Sequence, residues 1–128
     1  MDSFVKEKID SREYKIGIIG LGYVGLPLAY LAVEKGFNTI GFDIDESKIG
    51  KLLIGESYIK HFDSNKTNKM IESGTFSPTN DYSRIREVDA IIICVPTPLT
   101  ESRDPDIYYI MSTADAVSYH LRQAKLLF

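Results

Sequence analysis

Short apolar runs and amphipathic stretches alternate along most of this chain. Lys15-Ile16-Gly17-Ile18-Ile19-Gly20 is an apolar run bounded by glycine, the pattern of a buried strand. From there Val24, Leu28, Leu31 and Ala32 recur at i, i+4, i+7 and i+8, predicting one buried stripe of a helix, and Gly36 is placed to close it with a left-handed cap. Pro27 fixes where that helix begins. Proline has no N–H and costs little only in the first turn, so the helix should start around Tyr23 or Val24. Asn38 to Asp43 predicts a second strand, and Asp45 caps a helix carrying Ile49, Leu52 and Leu53 toward the sheet. Ser64 to Ser73 offers only Met70 and Ile71 to bury and predicts a mostly exposed helix ended by Gly74. Phe76-Ser77-Pro78-Thr79 suits an edge strand, because proline cannot donate to a central ladder. Ala90 to Val95 is apolar on both faces and suits a central strand. Asp104-Pro105 opens a last helix with Ile107, Ile110, Met111, Ala114, Val117 and Leu121 on one face, and Lys125-Leu126-Leu127-Phe128 begins a fifth strand.

Strands alternating with helices define the α/β class. A doubly wound parallel sheet of order 3-2-1-4-5 puts the proline-containing third strand at the edge and the all-apolar fourth in the centre. The expected organisation is a polar N-terminal segment over residues 1–14 and one Rossmann-type domain over residues 15–128, truncated after or within strand five. At 128 residues the chain has room for one domain, and 44% hydrophobic with 26% charged residues is a globular composition. Fifteen Lys plus Arg against eighteen Asp plus Glu leave a net charge of −3, which argues against nucleic acid or anionic lipid as partners. The first ten residues carry acids throughout and no apolar run, unlike a secretory signal, and Ala90 to Val95 is far short of the ~20 residues of a membrane span. A soluble, cytoplasmic protein is expected. One cysteine and two histidines are too few for a disulfide framework or a structural zinc site.

Gly20-Leu21-Gly22-Tyr23-Val24-Gly25 matches G-x-G-x-x-G where the pattern carries meaning, directly after a strand and opening a helix. Gly20 permits the tight turn, Gly22 lets backbone approach a pyrophosphate, and Gly25 lets helix and strand pack closely. Bare amides at a helix N-terminus then favour an anion. A flexible glycine loop is the bland alternative. Asp43 ends the second strand 23 positions after Gly20, near the offset at which an acid bonds the adenosine ribose, although an aspartate can also simply end a strand. A 2′-phosphate there would face Asp43, Asp45 and Glu46 with only Lys48 to offset them, so NAD is preferred over NADP.

With Lys15 to Ala29, Gly41-Phe-Asp-Ile-Asp-Glu-Ser-Lys48 and Val95-Pro-Thr-Pro-Leu99 in order, the chain resembles the N-terminal, NAD-binding domain of the UDP-sugar 6-dehydrogenases. The segments Gly55 to His61 and Pro98 to Asp106 look most like the branch acting on UDP-N-acetylglucosamine or a related UDP-hexosamine. The resemblance implies cofactor contacts from Tyr23, Val24 and Gly25 along the pyrophosphate, Asp43 at the ribose, Lys48 beside the adenosine half and Thr97 from the loop after the fourth strand. It also implies oxidation of the sugar C6 alcohol to a carboxylate with two NAD⁺, through a thiohemiacetal and a thioester on a cysteine, aided by a lysine and an aspartate or asparagine. None of these catalytic residues is matched here, Ala124 stands where a glycine is usual, and the substrate and C-terminal domains are not matched. The expectation is a chain that binds NAD without turnover, with UDP-sugar as a partner only of a complete enzyme, and one that self-associates through an unpaired sheet edge.

Cys94 lies in the apolar fourth strand, where desolvation raises a thiol pKa, so core packing is expected rather than nucleophilic work. His61 and His120 have no ligand constellation around them, His120 suiting a helix C-terminus, and Asp104 and Asp106 read as helix caps rather than metal ligands. Residues 56–75 have no functional reading. Two other classes share the glycine turn: an NAD-sensing regulatory module of an ion-transport system, which would not be expected to have the Val-Pro-Thr-Pro loop, and a methyltransferase, which usually lacks the final glycine.

Overall fold

The computed structural model describes residues 13–60 and 62–94, with residue 115 and residues 126–127. Its strands are β1 (Ile16–Ile19), β2 (Thr39–Phe42), β3 (Phe76–Thr79), β4 (Ala90–Ile93) and β5 (Leu126–Leu127). They form one sheet of order β3-β2-β1-β4-β5 in which every pairing is parallel. This is the doubly wound order expected from the sequence. Pro78 lies in β3 opposite Gly41; Thr39 N–H donates to Thr75 O and Asp43 N–H to Thr79 O, so residues of that parity face β2 and the missing N–H of Pro78 is on the other side, where no described strand lies.

Alternation along β1 explains why its residues are apolar without interruption. Ile18 points into a core with Leu21, Leu26, Ala29, Leu52, Met70 and Phe76, while Ile19 points the other way, among Ile40, Phe42, Ile85, Val88 and Ile91. Three helices, α1 (Gly25–Glu34), α2 (Glu46–Leu53) and α3 (Ser64–Glu72), contribute to the first of these cores. Asp45 caps α2 by accepting from Ser47 N–H at 2.9 Å, and Asp63 caps α3 by accepting from Lys66 N–H at 3.1 Å.

Two helical faces differ from expectation. In α1 the buried residues are Gly25, Leu26 and Ala29, whereas Val24 and Leu31 remain 66% and 47% exposed. The helix is apolar almost all round, so periodicity alone offers two stripes, and contact at Gly25 selects the other one. Leu28, Leu31 and Ala32 instead line an open apolar recess of about 210 Å³ with Ile16, Ile18 and Ile92. In α2, Ile49 and Leu52 are buried but Leu53, in the last turn, is 56% exposed. A 3-10 helix at Tyr82–Glu87 has no counterpart in the sequence reading. Asp81 caps it by accepting from Ser83 N–H at 3.0 Å, and Ile85 and Val88 fill the second core. Tyr14, at the end of the segment read as polar, is buried and its hydroxyl donates to Asp89 O at 3.4 Å. The expected helix from Asp104 to Leu121 lies outside the described residues apart from residue 115. Among the described residues no helix is long and apolar enough to cross a membrane.

Candidate functional site: the glycine turn and its cavity

The passage from β1 to α1 is fixed one hydrogen bond at a time. Gly20 N–H still donates to Phe42 O at 2.8 Å, extending the β1–β2 ladder. The chain then turns at Gly20 with φ 95°, in the left-handed region where a side chain is strained. Leu21 N–H donates to Asp43 Oδ2 at 2.9 Å, and the helical pattern takes over with Leu26 N–H to Gly22 O at 3.1 Å. Gly25 packs on the start of the same turn: a Cβ there would lie 1.6 Å from the Gly20 carbonyl oxygen. At Gly22 a Cβ would meet nothing within 4 Å, so this part of the turn faces open space. Among the described residues the amides of Gly22, Tyr23 and Val24 meet no acceptor. Pro27 is the third residue of α1, inside the first turn as the sequence requires.

Asp43 follows β2 and is only 6% exposed. Its carboxylate accepts from two backbone amides, Leu21 N–H at Oδ2 and Asp45 N–H at Oδ1, both at 2.9 Å. Each carboxylate oxygen has a second lone pair, so acceptor capacity remains. Lys48, on α2, sets its Nζ 3.9 Å from Asp43 Oδ2 and 5.6 Å from the centroid of the Tyr58 ring. The Ser47 hydroxyl, and then its amide, hold the neighbouring Asp45 carboxyl below its ordinary pKa.

Tyr58 carries no role in the sequence reading, yet its hydroxyl donates to Leu21 O across the turn. Burial, reinforced by the charges of Asp43 and Asp45, pushes its pKa up, so it stays protonated and remains a donor at neutral pH. A cavity of about 530 Å³ opens between Gly22, Tyr23, Val24, Lys48, Tyr58, Ile59, Ile93 and Cys94. Its lining combines the glycine-turn residues and the Lys48 side chain with the apolar side chains of Val24, Ile59 and Ile93. Such a cavity can take an anion joined to flat, apolar groups. Thr97 lies outside the described residues, as do His61, Asp104, Asp106 and His120.

Cys94 packs against the first core, as expected, and also borders the cavity. It is half-buried at the end of β4, and burial pushes its thiol pKa up as anticipated. As it is the chain's one cysteine, labelling reads this site alone. At pH 8 iodoacetamide should label it more slowly than free cysteine, and saturating NAD⁺ should slow the reaction several-fold further. Labelling as fast as free cysteine and indifferent to NAD⁺ would contradict the geometry described.

A parallel sheet of this order, with a glycine turn opening its first helix and an acid closing its second strand, defines an NAD-binding Rossmann domain. The chain belongs to the UDP-glucose/GDP-mannose dehydrogenase family: residues 14–128 match that family's NAD binding domain. It is 33% identical over 118 residues to the UDP-N-acetyl-D-mannosamine dehydrogenase of Methanococcus maripaludis, covering 88% of this chain and 27% of that one. It is 28% identical over 115 residues to the UDP-N-acetyl-D-glucosamine 6-dehydrogenase of Pseudomonas aeruginosa, covering 90% and 26%. The GDP-mannose dehydrogenase of Pseudomonas aeruginosa, solved as a ternary complex, superposes with a TM-score of 0.77 at 30% identity, covering 84% of this chain and 25% of that one. The chain thus spans about a quarter of the length of these dehydrogenases.

Proposed function

We propose that this chain is the cofactor-binding part of a cytoplasmic dehydrogenase that oxidises the C6 alcohol of a UDP-hexose or UDP-N-acetylhexosamine to a uronate with two NAD⁺, and that the chain alone binds NAD⁺ without turnover. One observation carries the reading: Leu21 N–H, inside the glycine turn, is bonded to the Asp43 carboxylate. That bond brings the ribose acid and the phosphate-facing amides into one structural unit.

The residues fit the dinucleotide. Gly20 turns the chain and Gly25 seats α1, so that Gly22, Tyr23 and Val24, whose amides meet no acceptor among the described residues, face the diphosphate at the positive end of a ten-residue helix. Asp43 keeps lone pairs for the ribose hydroxyls, Lys48 stands beside it, and Thr97 is assigned to the cofactor by the family resemblance. The negative charges of Asp43, Asp45 and Glu46 favour NAD⁺ over its 2′-phosphorylated form. Hydride acceptance is the chemistry that bound NAD⁺ supplies. This chain's own residues bind and orient the cofactor. Positioning the sugar within ~3–3.5 Å of a hydride acceptor requires a substrate-holding surface, and the dehydrogenases this chain resembles are about four times its length, with room for one. Self-association belongs to the same proposal, supported by the open apolar recess beside Leu31.

Isothermal titration tests the reading. NAD⁺ should bind, NADP⁺ should bind more weakly, S-adenosylmethionine should not bind, and UDP-sugars should yield no NADH with the 128-residue chain. Absence of NAD⁺ binding or preference for S-adenosylmethionine refutes the cofactor assignment, and steady NADH production refutes the division of labour.

A further inference from the structure

We propose that Tyr58 is a positioning residue that aims the Gly22 amide at the diphosphate, by holding the other side of the same peptide unit. The inference rests on the NAD⁺ reading above and adds to it a residue from a segment with no assigned role. Leu21 is held at both ends of its backbone: its N–H donates to Asp43 Oδ2 at 2.9 Å, and its C=O accepts from the Tyr58 hydroxyl. That carbonyl belongs to the peptide plane shared with Gly22. In a trans peptide the C=O and the following N–H point in opposite directions, so a donor fixed on the Leu21 oxygen fixes the Gly22 N–H away from it. The chain contains no cis peptide bond among the described residues, and Gly22 meets open space where a Cβ would be. Without that anchor a glycine-flanked peptide can rotate between two orientations at low cost, and only one of them presents a donor to the ligand.

The geometry around the phenol supports the assignment. Tyr58 and Gly22 line the same cavity, and the Lys48 ammonium stands 5.6 Å from the centroid of the Tyr58 ring, a second attractive contact on that side chain. The raised pKa of the phenol keeps its proton available to Leu21. A hydrogen bond onto the Leu21 carbonyl also polarises the shared peptide, so the Gly22 N–H becomes a stronger donor to an anion.

Comparison of NAD⁺ with adenosine, which lacks the diphosphate, separates aiming from general support of the fold. Tyr58→Phe keeps the ring and removes only the donor. It should weaken NAD⁺ binding about tenfold, the loss typical of a partner withdrawn from a part-buried hydrogen bond, and leave adenosine binding unchanged. Equal loss for both ligands would show a merely structural role, and unchanged NAD⁺ binding would show that the hydroxyl does not act; either overturns the proposal. Where the wild-type chain binds NAD⁺ the cofactor reading stands whatever Tyr58→Phe does; where it does not, both fall. If Tyr58→Phe does not fold, the wild-type chain labelled with 15N-glycine and 13C-tyrosine gives the answer. ADP, and not adenosine, should move the Gly22 amide and Tyr58 ring signals together over one titration, and a Gly22 shift with a silent Tyr58 overturns the coupling.

Discussion

Gly25→Ala should destabilise the chain by more than about 3 kcal/mol, although alanine is the better helix former by ~1 kcal/mol. The reversal follows from one distance, since the added methyl carbon would lie 1.6 Å from the Gly20 carbonyl oxygen and 3.3 Å from Cys94 Cβ. No rotamer relieves a Cβ against a backbone oxygen, so α1 must move away from β1. That movement opens the core in which Leu26 and Ala29 are fully buried. Urea denaturation of the two proteins measures the effect. A loss below about 1 kcal/mol would mean that the helix can slide away without cost. Gly22→Ala is the internal control: with nothing within 4 Å, its methyl group should leave folding unchanged while reducing NAD⁺ binding.

The second large effect is expected at Asp43. Asp43→Asn keeps size and shape but has one acceptor oxygen for two backbone donors, Leu21 N–H and Asp45 N–H, which the carboxylate serves from separate oxygens. One amide must then face the Asn Nδ2 group, donor against donor, in a site that is 6% exposed. The expected cost is about 2 kcal/mol of stability. NAD⁺ affinity should fall by about tenfold to a hundredfold, and discrimination against NADP⁺ should narrow because a negative charge has left the ribose end. Denaturation curves and titrations with both nucleotides separate these consequences. Loss of stability with unchanged NAD⁺ affinity would limit Asp43 to bracing the turn.

These two residues show what can be read from sequence. Glycine requirements at a strand-to-helix turn are local consequences of backbone sterics, so the distinct duties of Gly20 and Gly25 are legible in six residues, as is the spacing to Asp43. Strand order follows from the same kind of constraint, with Pro78 restricted to an edge and Ala90 to Ile93 needing cover on both faces. Tyr58 is different. Its contact with Leu21 spans 37 positions, and nothing in Gly55 to Lys60 announces it beyond an aromatic ring in a polar stretch. The stripe on α1 fails for a third reason. Where a helix is apolar on most sides, the buried face is chosen by the closest backbone approach, which periodicity does not contain. The apolar neighbours of Cys94 predict its packing on the core, whereas its second contact, with the cavity, follows from a position one residue beyond β4 that only the fold reveals.

The sheet order also bears on how the chain emerges from a ribosome. β1, made first of the described strands, sits between β2 and β4, and its pairing with Ala90 to Ile93 closes only after some seventy further residues have been synthesised. Until then one flank of Ile16–Ile19 is bare, a template for mispairing in the nascent chain. Of the partners that cover β1 in the finished fold, α1 and β2 are among those already synthesised by then, so the β4 flank is the edge left to protect.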